Sequence, residues 1–151
     1  MKARSKARSL ALQVLYEIDS TCHDLEDAFD YQSARLELGD TVILFAKELV
    51  EGTWSNRICL DQMIQSHAPE WPLNQMALID RNVLRMAIWE FAIHGSTPTK
   101  VAINEAVELA KRFGSDSSSR FVNGVLGTLA GKENDIRQTL RSMSDKKALM
   151  S

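Results

Sequence analysis

The spacing of the apolar residues most constrains what this chain can fold into. They recur every three or four positions in nearly every segment, and the strict apolar–polar alternation of a half-buried strand is absent. Ala7, Leu10, Ala11, Val14, Leu15 and Ile18 keep helical period and predict a first helix from Ser5 to about Asp19. Asp24 can cap a second helix to about Leu38, with Glu26 and Asp27 favourably placed in its first turn and Gly39 as its stop. Asp40 then caps a long third helix, expected to reach about His67. Gly52 inside it costs about 1 kcal/mol relative to Ala, which points to a packing contact or a slight bend.

Pro69 and Pro72 mark the clearest break. Beyond it, Val83, Leu84, Ala87, Ile88 and Phe91 stripe a helix from about Leu78 to His94, ended by Gly95. Thr97 as N-cap with Pro98 at the first helical position opens a fifth helix, which closes at Phe113-Gly114 with Lys111 and Arg112 at its negative dipole end. A sixth helix is expected from about Ser115 to Ala130. The reading is an all-α compact helical bundle, in two small sub-bundles joined near Pro72. Residues 1–131 are expected to form the domain and residues 132–151 a polar tail, marginally helical or disordered, in which Ile136, Leu140 and Met143 alone keep helical spacing.

With 151 residues, 44% hydrophobic and 25% charged, the chain has the composition of an ordinary soluble globular domain. No apolar run nears the roughly 20 residues that span a bilayer, and the apolar stretch after the basic start is interrupted by Gln13, Glu17 and Asp19. No membrane association and no signal peptide are expected, and the expected location is cytoplasmic. Cys22 and Cys59 are isolated and His23, His67 and His94 scattered, so neither a metal cluster nor a redox pair is expected. There is no Gly-rich phosphate loop, nucleophile elbow or HExxH. Glu105 and Glu108, three apart, read as a solvated or salt-bridged face, and Trp54, Trp71 and Trp89 as core or partner-facing aromatics. Neither catalysis nor a cofactor is expected.

One asymmetry remains. Lys2, Arg4, Lys6 and Arg8 alternate at the start of a chain whose net charge is −2, and no acidic residue precedes Glu17. On a helical wheel Lys2, Ser5, Ser9, Gln13 and Tyr16 lie opposite the core stripe, with Lys6 on one flank and Arg4 and Arg8 on the other. A tyrosine on a cationic helix face suits stacking on a single-stranded base, and an arginine fork suits phosphate. The simpler alternative is a solvated chain end, with Tyr16 packed under a neighbouring helix. The segment Phe113-Gly114-Ser115-Asp116-Ser117-Ser118-Ser119-Arg120 offers hydroxyls and an arginine at a helix start, which can hold phosphate or merely cap the helix.

Two stretches taken together resemble the transcription antitermination factor NusB family. One is Lys6-Ala7-Arg8 with Ala11, Leu12, Gln13, Leu15 and Tyr16. The other comprises Val83–Glu90, Lys100–Lys111, Phe113-Gly114 and Arg120-Phe121-Val122-Asn123-Gly124-Val125-Leu126. The resemblance implies binding of single-stranded boxA RNA in ribosomal RNA leader transcripts, together with a small-subunit ribosomal protein (NusE). It further implies membership of the RNA polymerase antitermination complex and support of rRNA synthesis. It maps RNA contacts onto Lys2, Arg4, Lys6, Arg8 and Tyr16, and onto Ser118, Ser119, Arg120, Phe121 and Asn123. The ribosomal-protein face maps around Asp80, Leu84 and the helix that follows. Ser5 interrupts the basic run, and the triple serine replaces more charged or bulkier family residues. Both departures shift binding toward the protein partner. A homodimer is compatible with the apolar pattern, and the competing reading is a helical protein–protein adaptor whose basic helix meets an acidic partner.

Overall fold

The computed structural model describes residues 2–150; Met1 and Ser151, the outer ends of the expected domain and tail, lie outside the described residues. Eight α-helices account for most of these residues: α1 (Ala3–Ser20), α2 (Leu25–Ala34), α3 (Asp40–Ser55), α4 (Arg57–His67), α5 (Leu78–Ile88), α6 (Thr99–Phe113), α7 (Ser118–Ala130) and α8 (Glu133–Met150). A 3₁₀ turn, Leu73–Gln75, lies in the connection between α4 and α5, and a π-helical turn, Trp89–His94, extends α5. No strand occurs among the described residues. α1 packs on α2, α3 and α5, while α5, α6 and α7 pack on one another, so α1 and α5 join the two halves. A single cluster of buried apolar side chains runs through both, from Leu10, Leu12 and Leu15 on α1 to Leu84, Ile88 and Leu126.

Four element boundaries differ from the sequence expectation, each for a local reason. α2 stops at Ala34 because the chain turns there, with the Leu36 N–H donating to the Ser33 carbonyl. The expected third helix is two helices. Asn56 leaves helical geometry (φ −104°, ψ 12°), and its side-chain amide donates to the Gly52 carbonyl at 2.7 Å in place of a backbone bond. α6 starts one residue late, with Pro98 rather than Thr97 at the N-cap, because Thr97 is buried and its hydroxyl makes no capping bond. α7 begins at Ser118, after a turn through Ser115–Ser117. Elsewhere the local signals hold. Asp24 accepts from the Asp27 N–H at 3.2 Å, and Gly95, at φ 77°, closes the π-turn by donating to the Glu90 carbonyl.

Gly52 permits a close approach: a methyl group there would fall inside the indole ring of Trp89. Residues 133–150 are helical, with Ile136 and Leu140 buried. Arg137 on this helix donates to the Phe91 carbonyl at 2.9 Å and pairs with Glu133 at 2.5 Å, which ties α8 to the π-turn.

Two groups of charges fix α1 against α5. Near its C-terminus, Asp19 accepts from Arg81 (2.9 Å), Asn82 (3.0 Å) and Arg85 (3.1 Å). Arg85 also grips Asp61 of α4 through two bonds of 2.6 and 2.7 Å, the bidentate fork that guanidinium geometry favours. Burial of Asp19 works against ionisation, but the hydrogen bonds from Arg81 and Asn82 and the charges of Arg85 and Arg81 outweigh it. Its pKa therefore lies below the usual aspartate value. At the other end of the helix the partner is Arg8.

Candidate nucleic-acid interface

Lys2, Arg4 and Lys6 are exposed at the start of α1, and the Arg4 guanidinium lies 4.3 Å over the Phe45 ring. Arg8 is not with them. It is 4% exposed, donates through Nε and Nη2 to the Glu90 carboxylate at 2.9 and 2.5 Å, and stands 3.8 Å from Glu105. Burial alone would lower its pKa, but the Glu90 hydrogen bond and the charges of Glu90 and Glu105 raise it, so the cation is held firmly. A residue on the wheel's flank can be solvated or covered, depending on what packs beside it. Here the Phe45 ring of α3 and the carboxylates of the π-turn and α6 cover it. Arg8 is thus removed from the expected set of phosphate donors.

Two clefts continue the cationic surface away from α1. The first, about 390 Å³, lies between α1 and α6 and is lined by Lys2, Ser5, Ser9, Glu105, Glu108, Leu109, Lys111 and Arg112. The second, about 550 Å³, lies between α6 and α7 and is lined by Asn104, Val107, Glu108, Lys111, Ser119, Arg120 and Asn123. Glu108 and Lys111 belong to both. The start of α1 and the start of α7, remote in sequence, therefore border one continuous surface. Ser5 helps shape its floor by donating to both Glu105 oxygens at 3.1–3.2 Å.

The residues expected at the start of α7 divide into two groups. Ser119, Arg120 and Asn123 line the second cleft. Ser118 does not: it is 1% exposed, and its hydroxyl accepts the Ser115 N–H at 2.9 Å beside the close-packed Gly114. Its role is to build the corner, which corrects the RNA contact expected of it. Phe121 is half-buried and meets Trp71 edge-on, with centroids 5.5 Å apart. Tyr16 is 44% exposed and borders a third, largely apolar cleft of about 520 Å³ that also includes Leu12, Gln13, Arg35, Ile79 and Phe113.

The expected protein-partner residues are mostly interior. Leu84 is fully buried in the core and offers no surface to a partner, as its place on the α5 stripe requires. Asp80 is 9% exposed in the first turn of α5, and one of its carboxylate oxygens has no hydrogen-bond partner in the structure. Sequence reasoning did not place Asn104, Glu108 and Lys111 in a groove beside the start of α7. Lys111 was visible as a cation at a helix C-terminus and Glu108 as a solvated acid, but neither pattern says what lies across the groove. Among the described residues no group of three or more His, Cys, Asp or Glu could hold a metal ion, and no helix is long and apolar enough to cross a membrane.

Residues 5–131 match the model of the NusB family. A transcription antitermination protein NusB from Chloroflexus aggregans is 48% identical over 128 residues, which is 83% of this chain and 85% of that protein. NusB of T. maritima has a similar structure, with TM-score 0.74 and 29% identity over 89% of this chain and 90% of that one. The fold also matches, with TM-score 0.75 and 23% identity over 92% and 98%, a chain in a crystal structure of the antitermination factors NusB and NusE in complex with double-stranded RNA. The chain belongs to the NusB family of transcription antitermination proteins.

Proposed function

We propose that this chain binds single-stranded boxA RNA in ribosomal RNA leader transcripts, together with the small-subunit ribosomal protein NusE, and so acts within the RNA polymerase antitermination complex to support rRNA synthesis. The observation that carries the reading is the pair of clefts sharing Glu108 and Lys111. They place Lys2 at one end of a surface and Ser119, Arg120 and Asn123 at the other. Lys2, Lys111 and Arg120 hold phosphates there, and the exposed Arg4 and Lys6 add two further phosphate contacts at the start of α1 beside it. Tyr16, on the other side of α1 from the core, offers a ring on which a base can stack.

Each phosphate contact to a single strand contributes about −0.7 to the slope of log affinity against log salt. Three contacts from α1 give a slope near −2, and adding Lys111 and Arg120 brings it near −3.5. The test is a fluorescence-anisotropy titration of boxA RNA from low to moderate salt, with and without NusE, and with duplex and scrambled RNA as competitors. A slope in that range with preference for the single-stranded boxA sequence supports the reading. A slope near zero, or no binding even with NusE present, overturns it. Equal binding of boxA and scrambled RNA would instead favour an adaptor whose basic helix meets an acidic protein.

A further inference from the structure

We propose that Glu108 is a base-reading residue of this surface, accepting hydrogen bonds from the amino group of one unstacked RNA base. The proposal rests on the RNA-binding reading above and assigns the specificity of that same site. A carboxylate midway along a phosphate-binding surface opposes phosphate, since like charges a few ångströms apart repel. Glu108 nevertheless stands where both clefts meet, between the cations of α1 and those of α7. Its neighbour Glu105 is already occupied by Ser5 and by the Arg8 charge.

Glu108 is available. Its side chain is 69% exposed, and its ion pair with Lys111 is a 3.4 Å contact between exposed groups, of a kind that contributes little and exchanges readily. Asn104 lies one helical turn before it on the same face of α6, and Asn123 of α7 lines the same cleft. Two amides and a carboxylate offer donors and acceptors to a base edge, and the carboxylate has no donor to give a phosphate. An ionised carboxylate only accepts. It therefore selects bases that present an exocyclic amine: guanine, whose N1–H and amine form a bidentate pair with it, ahead of cytosine and adenine. Uracil, which has no amine, is disfavoured.

The experiment uses the full-length protein, boxA RNA, and a set of oligonucleotides in which each amine-bearing base is replaced singly by uracil, and each guanine also by inosine, which lacks the amine. Wild-type protein is expected to lose roughly 5- to 150-fold in affinity at one position, the range of a good bidentate pair. Glu108→Ala is expected to abolish that discrimination while the salt slope stays unchanged, because no phosphate contact is lost. Lys111→Ala should do the reverse, lowering the slope by about 0.7 and keeping the discrimination. Glu108→Gln, which keeps shape and one acceptor, should show a weakened preference at the same position and no other. If Glu108→Ala keeps the wild-type ranking of every oligonucleotide, or tightens all of them by one common factor, the proposal is overturned and the RNA-binding reading stands. If the wild type shows no salt-dependent RNA binding, that reading falls and takes the proposal with it.

Discussion

Truncating Arg8 should destabilise the protein while sparing its RNA affinity, the opposite of what its place in the basic run suggests. Glu90 is 2% exposed and Arg8 4%, so Arg8→Ala leaves a carboxylate buried without its counter-charge. Removing one partner of a buried pair costs about 3–5 kcal/mol. At about 2–4 °C per kcal/mol for a chain of this size, the melting temperature should fall by roughly 6–20 °C. Arg8→Met with Glu90→Leu replaces both charges by apolar groups of similar length and should recover most of that loss. Thermal unfolding followed by circular dichroism gives the stability side, and salt-dependent anisotropy on whatever fraction remains folded gives the binding side. Lys6→Ala is the control, expected to lower the salt slope by about 0.7 with no change in melting temperature. An Arg8→Ala protein that melts like the wild type but loses 0.7 from its slope would refute the reasoning and return Arg8 to the RNA surface.

Gly52→Ala should cost about 1–3 kcal/mol, since the added methyl overlaps the Trp89 ring in a packed core; an unchanged melting temperature would show that the ring moves aside freely. The Asp19 carboxylate titrates below the ordinary value, so its stabilising contribution is complete at neutral pH. It fades as the pH falls beneath about 4, the unfolded value, and is lost once the pH passes below the folded one. Urea midpoints of Asp19→Asn should therefore lie below wild type at pH 7 and converge with it in acid, and a constant gap from pH 7 to pH 2 would contradict the assignment. Tyr16→Ala should weaken boxA RNA binding by roughly 1–3 kcal/mol without unfolding the chain, and unchanged affinity would make the ring a packing group.

Helices were legible wherever a strong local signal coincided with a covered face. Asp24, Gly95 and Gly114 mark true ends, and the α5 stripe from Val83 to Phe91 is buried as its period requires. The break at Asn56 was hidden because no Gly or Pro announces it; a side-chain amide bonding back to Gly52 makes it. Thr97 and Pro98 formed a persuasive cap, yet burial of the threonine moved the start by one residue. The interface was half legible for a similar reason. A helical wheel separates Lys2 and Tyr16 from the core stripe, but it cannot tell whether a flank is wet or covered. Arg8 is covered by side chains from Phe45, Glu90 and Glu105, all far away in sequence. Ser118 was read as a ligand-facing hydroxyl, while its bond to Ser115 shows it to be part of the turn.

The two charged clasps on α1 have a consequence for chain direction. Arg8 and Asp19 are eleven residues apart, which returns them to within about 20° of the same line along the helix, some 16 Å from each other. Read from N to C, α1 presents plus then minus, and α5 with its π-turn presents plus at Arg81 and Arg85, then minus at Glu90. Laid antiparallel, every charge meets its opposite. Laid parallel, Arg8 would face arginines and Asp19 would face Glu90, leaving like charges buried together. The apolar stripes alone would accept either direction, so the order of signs along these two helices acts as an arrow that selects one topology from two. A single sign reversal at one clasp should therefore threaten the uniqueness of the fold as well as its stability.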